Sequence, residues 1–294
     1  MNILVIGETG QVARALVERA SDRDNVTALG RPELDLTKKA SVVSAVNKVR
    51  PDIIVNAAAY TAVDKAESDE DAAYLVNQDG PAVLAELCNS LSIPLVHYST
   101  DYVFDGTAQN AYAEDAAPQP LGVYGRSKLA GEKAVADRLE NHVVFRTAWV
   151  YSPFGNNFVK TMLRLASDRD VISVVEDQFG CPTSALDIAD ATLEVARQMV
   201  GGNIKPGIYH MCGQNDTNWY GFAKAIFEAS EEFGGPSAKV EPIPSSQFPT
   251  PAKRPKNSRL NSAKLLNEYG VQLPDWRAST RACVRRILNE RSAP

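Results

Sequence analysis

The sequence predicts an α/β fold: a doubly wound parallel sheet with a smaller, mixed α/β lobe. Three observations support this. Short β-rich apolar runs alternate with segments whose apolar residues recur every three or four positions, which is typical of βαβ units. A glycine-rich turn directly follows the first run. Beyond residue 150 the alternation loosens, and glycines and prolines separate smaller elements.

The order of the elements predicts two structural units. The predicted strands are Asn2–Ile6, Val26–Leu29, Asp52–Asn56, Leu95–Tyr98 and Val143–Val150, and the predicted helices are Gln11–Ala20, Ala40–Val49, Asp71–Leu91 and Ser127–Leu139. Residues 1–150 then form a Rossmann-type dinucleotide-binding domain, to which residues 185–200 return. Residues 151–184 and 201–294 form the smaller, substrate-binding lobe. In such a sheet the ligand crevice lies at the carboxyl ends of the strands.

Composition narrows the class of protein. The chain has 294 residues, of which 44% are hydrophobic, and a net charge of −5 without a basic block, which argues against nucleic acid as a partner. No apolar run approaches the roughly 18 residues of a membrane span, and no charged-then-apolar leader opens the chain. The four cysteines show no metal-ligand spacing and fit a reducing compartment. We therefore expect a cytoplasmic protein without a membrane partner.

A dinucleotide fingerprint opens the chain. It follows the first predicted strand, begins a helix and consists of Gly7, Gly10, Gln11 and Val12. Ala13 replaces the third glycine of the usual pattern. Small residues, Ala57, Ala58 and Ala59, end the third predicted strand, and a flat cofactor can lie against them; Tyr60 and Thr61 follow. Asn77 is predicted either to bond the backbone at a strand end or to be a surface amide.

The residues at the end of the second strand indicate which cofactor the chain prefers. An acid there would bind the ribose hydroxyls of NAD, and a cation would favour the phosphate of NADP. The sequence has Gly30 followed by Arg31, so NADPH is favoured and NADH is the alternative. Asp35 and Leu36 are candidates to hold the adenine. As an alternative to a role in phosphate binding, Arg31 is a solvated loop residue.

A catalytic group is predicted from three residues. Thr100 ends a predicted strand, and Tyr124 and Lys128 are four residues apart on one helical face. Tyr124 can protonate a carbonyl oxygen and Thr100 can donate a second hydrogen bond to it. An ammonium beside a phenol lowers the phenol's pKa, so we expect Lys128 to lower the pKa of Tyr124. Together these residues predict hydride transfer to a ketone.

Longer motifs resemble a known family. They are Asn56-Ala57-Ala58-Ala59-Tyr60-Thr61-Ala62-Val63-Asp64, Tyr98-Ser99-Thr100-Asp101-Tyr102-Val103-Phe104-Asp105-Gly106, Tyr124-Gly125-x-x-Lys128-x-x-Gly131-Glu132, Arg146-Thr147-x-Trp149-Val150-Tyr151 and Arg254-Pro255-x-Asn257-Ser258. Together with the glycine-rich turn, they make the chain similar to the extended short-chain dehydrogenase/reductases over nearly its whole length. Ala13 and Ser152-Pro153 depart from the family pattern.

The resemblance implies a dTDP-sugar substrate: reduction of the C4 ketone of dTDP-4-dehydro-β-L-rhamnose to dTDP-L-rhamnose. It assigns catalysis to Thr100, Tyr124 and Lys128, places Tyr98, Tyr124 and Lys128 at the cofactor, and places Asp101, Tyr102 and Trp149 on the substrate side. It also suggests a homodimer and, for some members, Mg²⁺, to which the sequence assigns no ligands. Independently of the resemblance, a pyrophosphate needs cations or a helix amino terminus, and the candidates in the smaller lobe are Lys160, Arg164 and Arg254.

Two alternatives stay open. One is another nucleotide-sugar enzyme of the same fold, such as an epimerase or a dehydratase. Because a dehydratase needs an Asp-Glu pair after the catalytic threonine and this chain has Asp101-Tyr102, the dehydratase is disfavoured. The other is a non-catalytic regulatory subunit that binds NADP.

Overall fold

The computed structural model describes residues 1–292. Its strands are β1 (Asn2–Ile6), β2 (Asn25–Leu29), β3 (Ile53–Asn56), β4 (Leu95–Thr100), β5 (His142–Thr147), β6 (Val150–Tyr151), β7 (Val171–Val175), β8 (Phe179–Gly180), β9 (Thr183–Ser184), β10 (Gly207–His210), β11 (Thr217–Asn218) and β12 (Lys239–Ile243). Six of them form one sheet in the order β2-β1-β3-β4-β5-β10, and every neighbouring pair is parallel. The strand order reverses direction between β1 and β3, which is where such sheets bind ligands.

Eleven α-helices are described in residues 1–292. They are α1 (Gln11–Arg19), α2 (Lys39–Val49), α3 (Val63–Ala66), α4 (Glu70–Tyr74), α5 (Gly80–Leu91), α6 (Val123–Ala136), α7 (Phe158–Leu165), α8 (Ala185–Val200), α9 (Trp219–Glu232), α10 (Ala263–Tyr269) and α11 (Trp276–Ser292). A π-helical turn, Leu75–Asp79, joins α4 to α5, and a 3₁₀ turn, Asp101–Val103, follows β4. No helix of this described part is long and apolar enough to cross a membrane.

The central sheet is buried on both faces. Ile3 and Val5 belong to the core formed with α1 and α8, whereas Leu4 and Ile6 belong to the core formed with α2 and α5. Alternate residues of a strand point to opposite faces, so this division follows from the period of two. Burial of each large apolar side chain contributes about 1.5–3 kcal/mol, which explains why these strands are almost continuously apolar.

The smaller lobe has its own core. Strands β7 and β12 pair in parallel, and α7, α9 and α11 pack beside them. Phe222 and Trp276 are fully buried at the centre of this cluster, with the Trp276 ring edge-on to Phe222 at 5.6 Å. The lobe is therefore packed around a core separate from those of the main sheet.

Three sequence predictions about these elements differ in detail from the structure. The predicted strand Val143–Val150 is two strands, because Trp149 has a left-handed backbone with φ of 49° and ends the pairing. The predicted helix Asp71–Leu91 contains the π-helical turn, because Pro81 has no N–H to continue the α-helical ladder. The range assigned to the smaller lobe also contains β10, which pairs with β5 in the main sheet.

Candidate active site

The glycine-rich turn lies between β1 and α1 at the carboxyl edge of the sheet. Gly7 has φ of 109°, and a Cβ there would lie 3.3 Å from the backbone of Ala57, so the position requires glycine. Gly10 precedes α1, and no side chain caps this helix. The free N–H groups of the first turn therefore form a site suited to a pyrophosphate.

Gln11 has a structural task at this turn. Its Oε1 accepts hydrogen bonds from Ser152 Oγ (2.7 Å) and Asn157 Nδ2 (2.9 Å), and its Nε2 donates to the backbone oxygen of Val150 (3.4 Å). Val12 is partly buried against the main core. The side chain of Gln11 thus joins the glycine turn to the start of the smaller lobe, and the backbone of Gln11 and Val12 is the part that suits a phosphate.

Asn77 fixes the loop that follows β3. Its side chain accepts from the backbone N–H of Tyr60 (2.8 Å) and donates to the Tyr60 oxygen (3.1 Å) and to Ser127 Oγ (3.0 Å). Asn77 is 1% exposed, so the strand-end interpretation of this residue is confirmed and the surface interpretation is wrong. The predicted cofactor residues 57–61 are thereby held against α6, and the Tyr60 hydroxyl donates to Asp69.

The segment after β2 presents one free cation. Arg31 is exposed, and among residues 1–292 it makes no ion pair or hydrogen bond. Asp35 instead accepts from the N–H and hydroxyl of Thr37 (3.1 and 2.7 Å), and Leu36 is 6% exposed within the α2–α5 core. Arg31 is available for a ligand, whereas the side chains of Asp35 and Leu36 stabilise the turn and the core.

Thr100 and Asp101 lie where β4 ends. The Thr100 hydroxyl donates to Asp101 Oδ1 (3.0 Å) and accepts from the backbone N–H of Tyr102 (3.2 Å), so it caps the 3₁₀ turn. Asp101 is 2% exposed, and this burial raises its pKa to about 6, against the opposing effects of the Ser258 and Thr100 hydroxyls. To donate a hydrogen bond to a substrate oxygen, the Thr100 hydroxyl must first give up its hydrogen bond to Asp101.

The expected lowering of the Tyr124 pKa is wrong. Burial raises the pKa of this phenol above its usual value, and the negative charge of Asp101 adds to the increase. The Thr100 hydroxyl, which faces the phenol, opposes the increase but does not outweigh it. Tyr124 therefore holds its proton throughout the neutral range.

Lys128 lies on α6, where this helix packs against β4. It is 2% exposed, and its Nζ donates to the backbone oxygen of Tyr98 (2.5 Å). Burial lowers the pKa of Lys128 to about 8, while the nearby carboxylate of Glu132 acts in the opposite direction. The Tyr98 hydroxyl bonds to Thr192 Oγ1 (2.6 Å) in the main core, so the backbone of Tyr98, not its phenol, reaches the predicted site.

A buried ion pair joins Glu132, one turn beyond Lys128 on α6, to Arg146 on β5. Glu132 accepts from Arg146 Nε (2.9 Å) and Nη2 (2.6 Å) and from Ser99 Oγ (2.5 Å). The side chains of Glu132 and Arg146 are each 2% exposed. Such a pair depends on both partners, since either one alone would be an uncompensated buried charge.

Tyr102 and Arg254 lie next to the catalytic group. The Tyr102 ring is edge-on to Tyr124, with centroids 5.6 Å apart. Burial raises the pKa of Tyr102 to about 12, and Arg254 acts against that increase. Arg254 Nη2 also donates to Asp64 Oδ2 (3.0 Å), which ties the proline-rich segment to the segment after β3. The structure thus brings the predicted substrate residue Arg254 to the Thr100–Tyr124 side of the crevice.

Trp149 already has an aromatic partner. Its ring stacks on Trp219 with centroids 3.6 Å apart and planes 7° apart. A Cβ at Gly180 would lie 2.5 Å from the indole, so the ring also packs closely against β8. Trp219 covers one face of Trp149, and only the remaining ring surface could meet a sugar.

The residues described here do not fit a metal site. Within residues 1–292, no group of three or more His, Cys, Asp or Glu side chains is placed to hold a metal ion. The four cysteines are free and buried.

Sequence reasoning missed three residues near the site. Glu8 lies beside Gly30, Ser258 interacts with Asp101, and Asp64 pairs with Arg254. Asp64 and Ser258 stand within the quoted motifs, so the motifs were the available signal. For Glu8 the only signal was an acid inside the glycine turn, and its position beside β2 is a tertiary contact.

Comparison with known proteins places the chain in a family. A family model described as the RmlD substrate binding domain matches residues 1–289. A curated dTDP-4-dehydrorhamnose reductase of Sinorhizobium fredii is 47% identical over 292 residues, covering 99% of each chain. The chain belongs to the dTDP-4-dehydrorhamnose reductase family. Another dTDP-4-dehydrorhamnose reductase, from Escherichia coli, is 43% identical and covers 99% of this chain and 98% of its own.

Solved structures agree with the fold of this chain. A Bacillus anthracis dTDP-4-dehydrorhamnose reductase in complex with NADP has a TM-score of 0.89 and 34% identity, and the match covers 98% of this chain and 99% of that one. A Thermus thermophilus UDP-glucose 4-epimerase in complex with NAD has a TM-score of 0.77 at 22% identity, covering 100% of each chain. The second likeness shows the fold alone.

Proposed function

We propose that this chain reduces the C4 ketone of dTDP-4-dehydro-β-L-rhamnose to dTDP-L-rhamnose with NADPH. The observation that carries the proposal is the full-length identity of 47% to a curated dTDP-4-dehydrorhamnose reductase. The chain has Thr100, Tyr124 and Lys128, and all three lie where β4 and α6 meet.

NADPH, when bound, supplies the hydride to the ketone carbon. Tyr124 donates the proton to the ketone oxygen, and its raised pKa means that it is protonated when the substrate arrives. Thr100 donates a second hydrogen bond to the same oxygen as negative charge develops there. Lys128, held on the Tyr98 oxygen, is a cation next to the predicted nicotinamide ribose position.

The substrate side is assigned to Asp101, Tyr102, Trp149 and Arg254. The Arg254 side chain is 27% exposed and forms one ion pair with Asp64, so its guanidinium keeps donors for a pyrophosphate oxygen. Tyr102 lies between Arg254 and the phenol of Tyr124. This order of groups suits a ligand with a sugar at Tyr124 and phosphate at Arg254.

The cofactor is assigned to the glycine turn and the loop after β3. Gly7, Gly10 and the first turn of α1 take the pyrophosphate, and residues 57–61 line the crevice beside them. Arg31 takes the additional phosphate of NADPH.

The compartment is inferred from the cysteines. The four cysteines are free, which fits a reducing compartment, so we place the reaction in the cytoplasm. The homodimer stays a prediction.

Turnover with a defined substrate tests the proposal. Purified protein is incubated with dTDP-4-dehydro-β-L-rhamnose and NADPH, and cofactor oxidation is followed by absorbance while the sugar product is identified by NMR. We expect one dTDP-L-rhamnose for each NADPH oxidised. NADPH binding without turnover would support the regulatory subunit, and a sugar product without net cofactor oxidation would support an epimerase.

A further inference from the structure

A carboxylate lies beside the end of β2, although none stands there in the sequence. Glu8 belongs to the glycine turn after β1, and Gly30 directly follows β2. A Cβ built on Gly30 would lie 3.1 Å from Glu8 Cβ and 3.5 Å from Glu8 Oε2. The acidic group of Glu8 thus lies where the side chain of an acidic residue at position 30 would begin.

The absence of a side chain at position 30 belongs to the same arrangement. A Cβ at 3.1 Å from Glu8 Cβ is closer than ordinary van der Waals contact. Any larger residue at position 30 would push Glu8 away from the strand end. Gly30 therefore leaves the room that the Glu8 side chain uses.

The two charges at this edge are available to a ligand. Glu8 and Arg31 are both exposed, and within residues 1–292 neither makes an ion pair or a side-chain hydrogen bond. In dinucleotide-binding sheets the group at this strand end decides the cofactor: a carboxylate accepts from the adenosine ribose hydroxyls, and a cation binds a 2′-phosphate. Here the edge has one group of each kind.

We propose that Glu8 is a specificity-determining residue for the cofactor, acting against Arg31. Its carboxylate accepts a hydrogen bond from the adenosine ribose hydroxyls of NADH and repels the 2′-phosphate of NADPH. Arg31 attracts that phosphate. The chain consequently uses NADPH with a narrow margin over NADH. This inference rests on the proposed function, since it concerns the cofactor of that reaction.

Equilibrium binding of NADPH and NADH tests the inference without turnover. Dissociation constants are measured by calorimetry for the wild type, Glu8→Gln, Arg31→Ala and Asp22→Asn. The control removes the same charge from an exposed carboxylate in the connection between α1 and β2, at the opposite edge of the sheet. The Glu8→Gln change keeps the side-chain shape, and circular dichroism verifies that each variant is folded.

We expect Glu8→Gln to shift the ratio of affinities toward NADPH by about three- to tenfold, because an exposed charge pair contributes up to about 1 kcal/mol. Arg31→Ala shifts the ratio the opposite way, and Asp22→Asn leaves it unchanged. High salt reduces both shifts, since the charges are exposed. If both cofactors bind and Glu8→Gln behaves like Asp22→Asn, the inference is wrong while the proposed function stands. If the wild type binds neither cofactor, both are wrong.

Discussion

Lys128 should destabilise the folded protein at neutral pH. Burial lowers its pKa from 10.5 to about 8. At about 1.4 kcal/mol for each pH unit, an ammonium at this position costs the folded state about 3 kcal/mol near neutrality. The hydrogen bond to the Tyr98 oxygen offsets part of this cost at every pH at which the ammonium exists.

The pH dependence has a definite sign. Below about pH 8 Lys128 is protonated in both the folded and unfolded states, and the full cost applies. Between about pH 8 and 10.5 the folded protein has released the proton while the unfolded chain still binds it, so stability rises with pH. Between about pH 7 and 9.5 this contribution amounts to about 2 kcal/mol.

The test compares Lys128→Met with the wild type by urea unfolding across that pH range. Titration of all other groups cancels in the difference between the two proteins, so the wild type should gain about 2 kcal/mol relative to the variant. Lys133→Met is the matched control, because Lys133 is exposed on the same helix. A difference for Lys128→Met that is as flat with pH as that for Lys133→Met would refute the argument.

Two further predictions concern the substrate side and the buried ion pair. If Trp149 contacts the sugar, Trp149→Ala raises the substrate KM or lowers kcat/KM while the NADPH dissociation constant stays constant; loss of folding or of cofactor binding would show that Trp149 serves only its stack with Trp219. Glu132→Gln should lower the free energy of unfolding by about 3–5 kcal/mol, because Arg146 would keep a buried charge without its counter-ion. Urea unfolding measures this, and a loss below about 1 kcal/mol would contradict it.

Local sequence patterns predicted much of the fold and of the candidate site. The Gly7–Gly10 turn, the sheet and the helix that holds Lys128 follow from period and spacing, because each depends on neighbours in sequence. The predicted helix begins at Ser127, whereas α6 begins at Val123 and so includes Tyr124. The burial of individual side chains could not be predicted from these patterns. Whether Lys128 lowers the pKa of Tyr124 depends on how deeply the phenol is enclosed and on where the ammonium points, and the structure directs it to the Tyr98 oxygen.

Contacts between distant segments account for the rest. Trp149 stacks on Trp219, seventy residues later in the chain, and Glu8 lies against Gly30, where the neighbouring strands β1 and β2 end. No local rule places these pairs together, since they exist only once the lobe packs and the sheet forms. The β10 strand was missed for a similar reason: its four residues lie among glycines and prolines, and pairing with β5 determines its position.

Tyr124→Phe tests the central claim most directly. The substitution keeps the ring that packs against Tyr102 and removes only the proton donor. Steady-state reduction of dTDP-4-dehydro-β-L-rhamnose by NADPH is compared for the wild type, Tyr124→Phe and Tyr220→Phe, a control that removes a phenol on α9. We predict that Tyr124→Phe lowers kcat by about 10²–10⁴-fold with NADPH affinity unchanged, whereas Tyr220→Phe has no effect. A folded Tyr124→Phe protein with near-normal kcat would contradict the account.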